Sequence, residues 1–431
     1  MHLIIAILLS TLLYKAKAES DIFPMMHLPP YPTWPDNISY WIHPDVKNIV
    51  NNDKSTTADE YDGTETFISY EKYKNKIELI FEGFPFYTCL QFSETLRMLD
   101  KIGINFLLST DDTNNVQLSG SINNATNLTL TTEVYKDPYL LRYFIAKALG
   151  LIPEVQRIDR ESDLTIFNDN IDGSFYKEYE KSTYYYPYFF ESNFDFKSAA
   201  MPINYFGLKE SFKKQAQNNM TYKSFEYPYY ELMLKKRFDF SFSDYKVISY
   251  MYCDFIYEEN KCLNGGYYHN NSHGYCKCPP ECSGQLCEKI NQLSFSIEKS
   301  KNLTAFLEHK TMELKYDKES YIITIQASKS WRKVEIYAKE LKFETRCEYT
   351  PRIDLIEIKY RDDKSVKGIS LFTDKFKEIK LPALSNKVII IYNFRSTECG
   401  PKFTFTYREV NPPQSKWPYW MDEKYEKVTW K

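Results

Sequence analysis

Residues 143–166, YFIAKALGLIPEVQRIDRESDLTI, set side chains capable of chemistry at regular intervals. Tyr143 and Lys147 stand at i and i+4, so on a helix they share one face, with Phe144 beside them. Two histidines at that spacing would hold a divalent metal. The residues actually present would not. A phenol is a weak ligand without partners, and a lysine ammonium at neutral pH repels Zn²⁺. Phe144 cannot accept a proton, and Pro153 offers no donor atom. Beyond them Arg157, Asp159 and Arg160 are suited to charge-assisted hydrogen bonds. The histidines are His2, His27, His43, His269, His273 and His309. His269 and His273 have the i, i+4 spacing but lie in a Gly- and Asn-rich loop, where it carries no geometric meaning. The others are isolated and read as surface residues, and neither a Ser-His-Asp nor a Cys-His arrangement can be assembled.

The elements that must position these residues are readable on either side. DPYLLRYFIAKALGLI sets Leu140, Leu141, Phe144, Ile145, Ala148, Leu149 and Ile152 at helical spacing. Asp137 is placed as the N-cap, Pro138 at the first helical position and Gly150 at the end. Upstream, ISYWI alternates like a first strand, and GINFLLST, Gly103 to Thr110, reads as a buried strand. Between them, ETFISYEKYKNKIELIFEGFPFYTCLQF predicts a helix and then a strand around Cys89. VQLSGSINNATNLTLTTEVY is strand-like, with sequons at Asn124 and Asn127 marking an exposed loop. Phe167 to Phe196 reads as surface loops with a few aromatic anchors, and SFSDYKVISYMYCDF as a last helix feeding Cys253. A cysteine cluster follows. Then YIITIQA, KVEIYAKEL, IDLIEIKY, NKVIIIYNF and KFTFTYREV alternate, as in an all-β sandwich.

Composition bounds the setting. Among 431 residues the net charge is −3 with no basic stripe, which gives nucleic acid no footprint. MHLIIAILLSTLLYKAKAES has an apolar run from Leu3 to Leu13 and a small-x-small ending at Ala16-Lys17-Ala18. It reads as a secretory signal peptide over 1–18, too short to span a bilayer, and no later segment is long and apolar enough to do so. The expectation is a soluble protein outside the cytosol. Nine cysteines agree with it, as do six glycosylation sequons at Asn37, Asn124, Asn127, Asn219, Asn270 and Asn302.

The stretch from Tyr143 resembles the zinc-binding region of the astacin family of metalloproteases, whose pattern is His-Glu-x-x-His-x-x-Gly-x-x-His-Glu-x-x-Arg-x-Asp-Arg-Asp. Gly150, Glu154, Arg157, Asp159 and Arg160 match, with Glu161 in place of Asp. By that resemblance Tyr143, Lys147 and Pro153 stand where the family has its zinc ligands, and Phe144 where it has the general base. WPDNISYWI, from Trp34, resembles the family's first strand. Cys89 and Cys253 resemble the first and last family cysteines, which the resemblance pairs; residues 90–252 hold no Cys for a second bridge. DFKSAAMPINY resembles the Met-turn, with Met201 kept, Pro202 and Ile203 replacing His-Tyr, and Tyr205 two residues out of place. Only about fifteen residues separate the expected cleavage site from the Trp-Pro strand, too short for the family's zinc-blocking pro-segment. The resemblance implies an α+β, two-lobed metzincin domain over 19–253. Zinc is its cofactor in the family, but no metal ligand or catalytic residue is kept here.

Residues 254–288 resemble an EGF-like module, through Cys262-Leu-Asn-Gly-Gly and Cys276-Lys-Cys278-Pro with Gly284 and Cys287. The resemblance pairs Cys262 with Cys276 and Cys278 with Cys287. Tyr267 and Tyr268 stand where a further Cys would follow, and Cys282 is left without an assigned partner. Residues 289–410 resemble a CUB domain through Asp354 in IDLIEIKY, then SNKVIIIYNF and KFTFTYR, with Ser396-Thr397 replacing an acidic calcium-site pair. Cys347 and Cys399 are the two cysteines of this region, with their pairing left open, and 411–431 reads as an extended tail.

The function implied is a secreted, proteolytically inactive astacin homologue that binds extracellular proteins or matrix through its EGF-like and CUB modules. The opposing reading is a zinc-dependent endopeptidase that works through non-family ligands; a third is a product without a specific role. Tyr143, Phe144 and Lys147 are expected to fill part of the cleft. A buried Lys147 then requires a carboxylate or carbonyl partner.

Overall fold

The computed structural model describes residues 37–52, 76–182, 192–213, 219–234, 240–253, 261–268, 275–290, 299–314, 321–342, 356–371, 376–392 and 402–412. The leader, Trp34-Pro35, His27, His269, Asn270, His273, Cys347, Cys399 and most of the tail lie outside them.

Strands with alternating or apolar patterns build the first sheet. They are β1 (Asn37–Ile42), β2 (Gln91–Glu94), β3 (Ile104–Leu108), β4 (Asn115–Gln117) and β5 (Thr126–Leu130), in the order β2-β1-β3-β5-β4. Ile38, Tyr40 and Ile42 of β1 are buried, as are Ile104 and Phe106 of β3. β4 pairs antiparallel, the others parallel. Helices α1 (Pro44–Asn52), α2 (Lys76–Phe81), α3 (Phe84–Tyr87), α4 (Thr132–Lys136) and α5 (Pro138–Ala148) flank the sheet in sequence.

The punctuation of α5 is as the sequence predicts. The Asp137 carboxylate accepts the amides of Tyr139 and Leu140 at 2.8 and 3.1 Å, which satisfies two of the donors that a helix start leaves open. Gly150, at φ 87°, takes the left-handed conformation that turns the chain away.

Two expectations need correction. The strand-like reading of TTEVY fails: Thr132–Lys136 is helical, and its Val134 and Tyr135 are buried. Asn127 lies in β5, half-buried, where its side-chain oxygen accepts from Asn105 at 3.0 Å; only Asn124 sits in an exposed turn. The segment read as surface loops with a few aromatic anchors, Phe167 to Phe196, does anchor itself through buried Tyr179, Phe194 and Phe196, and its described residues add short 3-10 turns at Asn168–Asn170 and Gly173–Glu178.

In the second half of this domain regular structure is sparse. β6 (Leu164–Ile166) pairs antiparallel with β7 (Tyr222–Ser224), followed by α6 (Tyr229–Leu234) and α7 (Phe242–Tyr252). Ser241 and Asp244 form a reciprocal capping box at the start of α7. Asp244 also accepts from Ser198 Oγ at 2.6 Å and from the Ala199 amide at 2.7 Å, fixing the loop that leads to Met201.

Among the described residues three disulfides form, Cys89–Cys253, Cys262–Cys276 and Cys278–Cys287, while Cys282 is buried and free. Short pairs β8 (Tyr267–Tyr268) with β9 (Cys276–Lys277) and β10 (Cys282–Ser283) with β11 (Lys289–Ile290) complete the cysteine-rich segment. Beyond it the strands are β12 (Lys299–Ala305), β13 (Lys310–Leu314), β14 (Tyr321–Ala327), β15 (Lys333–Lys342), β16 (Ile356–Lys359), β17 (Ile369–Leu371), β18 (Ile379–Leu381), β19 (Lys387–Tyr392) and β20 (Lys402–Val410). They make two sheets, β12-β14-β19-β16-β17 and β13-β20-β15-β18. The five runs read from sequence are β14, β15, β16, β19 and β20. The four unread strands are short, or polar like the KSKNLTA of β12.

Candidate functional site

Helix α5 presents Tyr143, Phe144 and Lys147 to the turn Gly173–Glu178. Tyr143 and Phe144 are each 1% exposed. The Tyr143 hydroxyl donates to Glu178 Oε2 at 2.9 Å, and Lys147 Nζ meets both Glu178 oxygens at 2.7 Å. One carboxylate therefore serves a phenol and an ammonium one helical turn apart. The side chains of Lys147 and Glu178 are 20% and 22% exposed, so the pair is partly shielded from water. Lys147 Nζ also lies 5.6 Å from the Tyr143 ring centre and 5.7 Å from that of Phe144, within range of cation–π attraction.

Aromatic packing closes the region. Phe206 stands 5.4 Å from Tyr143 and 6.2 Å from Phe144, and Phe175 stands 5.2 Å from Phe206. Burial pushes the Tyr143 phenol well above its ordinary range, and the negative charge of Glu178 adds to the effect. The phenol is thus a fixed hydrogen-bond donor at neutral pH. Of the partners expected for Lys147, a carboxylate or a carbonyl, the structure supplies a carboxylate, Glu178.

The residues after α5 form a buried polar brace. Arg157 makes two parallel bonds of 2.8 Å to Asp159 and a third, 3.0 Å, to the Ser192 carbonyl. Arg160 bonds the carbonyls of Val155 and Tyr179. Because Tyr179 adjoins Glu178, Arg160 also helps hold the turn that carries the carboxylate. Glu154 is 8% exposed, lies 3.6 Å from Arg157, and accepts the Asp195 amide at 3.2 Å. Burial raises its carboxyl pKa well above the ordinary value, against the pull of Arg157.

Pro153 is buried, and the Glu154 amide donates to the Ala200 carbonyl at 3.1 Å, which lays the exit of α5 against the turn holding Met201. Met201 is fully buried, whereas Tyr205 is 42% exposed. His309 is exposed, but His43 is half-buried with its ring 5.6 Å from that of Trp41. Among the described residues, no three His, Cys, Asp or Glu side chains are grouped so as to hold a metal ion.

Glu178 is the functional-site residue that reading the sequence misses. Its only signal is the demand created by Lys147; DGSFYKEYEK offers Asp172 and Glu180 as well, and spacing does not choose among them.

Comparison with known proteins adds ancestry. Residues 60–253 match the family model described as "Astacin", a peptidase family. The chain is 27% identical over 282 residues to "Zinc metalloproteinase nas-37" of Caenorhabditis elegans, a match covering 61% of this chain and 33% of that protein. With "Zinc metalloproteinase dpy-31" of Brugia malayi the identity is 28% over 244 residues, covering 53% and 36%. With "Zinc metalloproteinase nas-34" of C. elegans it is 26% over 274 residues, covering 61% and 41%. The chain thus spans well under half the length of these relatives. Among solved structures it is similar to High choriolytic enzyme 1, a hatching enzyme zinc-protease from Oryzias latipes, at 16% identity and a TM-score of 0.36, covering 52% of this chain and 93% of that one. Residues 60–253 are an astacin-family domain, and the chain is a homologue of the astacin zinc metalloproteinases.

Proposed function

We propose that the chain is a secreted, proteolytically inactive astacin homologue that acts by binding proteins. The observation that carries this reading is the ion pair of Lys147 with Glu178, in the place where the resemblance puts a zinc ligand. Zinc in this family needs three protein donors and one open position. The donor set on hand does not fit it. Tyr143 spends its proton on Glu178, Lys147 is a cation, Phe144 is a hydrocarbon ring and Pro153 has no donor atom. In place of a donor set, α5 presents packed aromatic rings and an ammonium tied down by one carboxylate.

The partners belong to the same proposal. The cysteine-rich segment, 254–288, is read as EGF-like and the two-sheet region, 289–410, as CUB-like. Their two disulfides and paired sheets support that reading, and modules of these kinds contact extracellular proteins or matrix. The leader-like start, the sequons and the disulfides support secretion. The described residues contain no helix long and apolar enough to cross a membrane.

The test is zinc content by elemental mass spectrometry on the purified protein, with a protein-cleavage assay with and without chelator. The expected result is no stoichiometric zinc and no chelator-sensitive cleavage. One zinc per chain with chelator-sensitive cleavage would overturn the proposal and establish a non-family ligand set.

A further inference from the structure

The loop between β16 and β17, residues 360–368, carries more buried charge than a surface connection should. Its contacts leave the sandwich in two directions. Toward the astacin-family domain, Arg361 pairs with Asp163 at 2.5 Å, with their side chains 9% and 7% exposed. The Tyr360 and Tyr230 hydroxyls meet at 2.8 Å, and both residues are almost fully buried. Asp363 meets Lys246 of α7 at 3.3 Å and exchanges two hydrogen bonds of 3.3 Å with Asn193, at the approach to the Met201 turn.

Toward the cysteine-rich segment, Lys359, at the end of β16, pairs with Glu281 at 2.5 Å, with side chains 5% and 2% exposed. Gly265, at φ 80°, sits so close to the loop that an added Cβ would lie 2.2 Å from the Ser365 amide nitrogen. On the same sheet Ile322, Ile389 and Ile391 form a small buried cluster against which Ile290 packs.

Charges buried this deeply persist only where geometry pairs them, so the packed surfaces on both sides of the loop must keep one register, because a shift would leave a buried charge without its partner. Interfaces between tethered domains are usually polar, wet and loose. This one has pairs that are nine-tenths buried on both sides of one loop. We infer that the 360–368 loop is a three-way clamp that fuses the astacin-family domain, the cysteine-rich segment and the sandwich into one cooperative unit. The sandwich is then not a tethered arm. A partner meets one composite surface of fixed shape, and the faces turned toward each other are withdrawn from binding. The clamp also grips Asn193 and α7, so binding strain on the sandwich is transmitted to the frame around Met201.

Hydrogen exchange on the full-length protein across a urea series tests this directly. Amides of α7, β19 and β20 are expected to lose protection at one common midpoint. Separate midpoints for α7 and the two sandwich strands would overturn the inference. The Asp363→Ala variant, changed only in the sandwich, is expected to speed exchange in α7 by at least about tenfold. Its control, Asp362→Ala, removes a carboxylate whose side chain is 58% exposed and which pairs with Lys333, and is expected to leave α7 unchanged. A response of Asp363→Ala confined to residues 356–371 would count against the clamp. If that variant does not fold, the urea series on the unaltered protein decides alone.

Discussion

Glu178 holds two groups at once, and the consequences of changing it are asymmetric. Replacing it by Gln leaves the Lys147 ammonium facing two aromatic rings without a counter-charge. Loss of a charged partner in a part-buried site costs on the order of 1–3 kcal/mol. Glu178→Gln is therefore expected to lower the urea midpoint clearly. Adding Lys147→Met to Glu178→Gln removes the uncompensated ammonium while an amide oxygen still accepts from the Tyr143 hydroxyl, so most of that loss should return. A double variant as unstable as Glu178→Gln alone would show that the ion pair is not what holds these side chains.

At the scale of elements, both ends of α5 are set by single residues. Asp137→Ala removes the side-chain acceptor for two amides and is expected to cost about 1 kcal/mol. Gly150→Ala forces a side chain into the left-handed region at φ 87° and should cost about 1–2 kcal/mol. Chemical denaturation of the two variants checks both values. At α7 the lever is pH. Burial, with the neighbouring Asp195 charge, pushes Asp244 up from 3.8 to about 6. The folded state therefore holds this proton where the unfolded chain has released it. Stability from this group is fully present below about pH 4 and is lost as pH rises through about 6, by on the order of 3 kcal/mol. Urea titrations across that window should show the decline, and Asp244→Asn should flatten it.

For the whole molecule, a second titration runs the other way. Lys364 sits in the clamp loop, with its ammonium nitrogen bonded to the Arg361 carbonyl and, at 3.1 Å, to Ser385 Oγ. Burial lowers it from 10.5 to about 7. The unfolded chain binds the proton more readily, so this group's contribution is full above about pH 10.5 and is lost as pH falls through about 7. Stability is expected to climb between pH 7 and 10, and Lys364→Met should remove that climb. With the Asp244 effect, the pH profile acquires a minimum between about 6 and 7. If the three regions form one cooperative unit, probes in the sandwich and in the astacin-family domain should trace the same profile.

Much of this protein could be read from local pattern. The start, face and end of α5, the helix α7, the strands β1 and β3 and the sandwich strands β14, β15, β16, β19 and β20 all follow from short-range preferences. The donor atoms at residues 143, 144, 147 and 153 were also fixed by identity alone, since no fold gives a proline a metal-binding atom. The helical turn at Thr132–Lys136, half-buried Asn127 and polar β12 and β13 escaped, because neighbours along the sheet decided them against their own propensities. The partner of Lys147 could not be chosen from sequence either: Glu178 lies 31 residues away, in a turn whose position depends on Arg160 and packed aromatic rings. The pairs Arg361–Asp163 and Lys246–Asp363 are more distant still. A charge announces that it needs a partner, but only the tertiary structure, by bringing remote backbone segments within 3 or 4 Å, decides which one it gets.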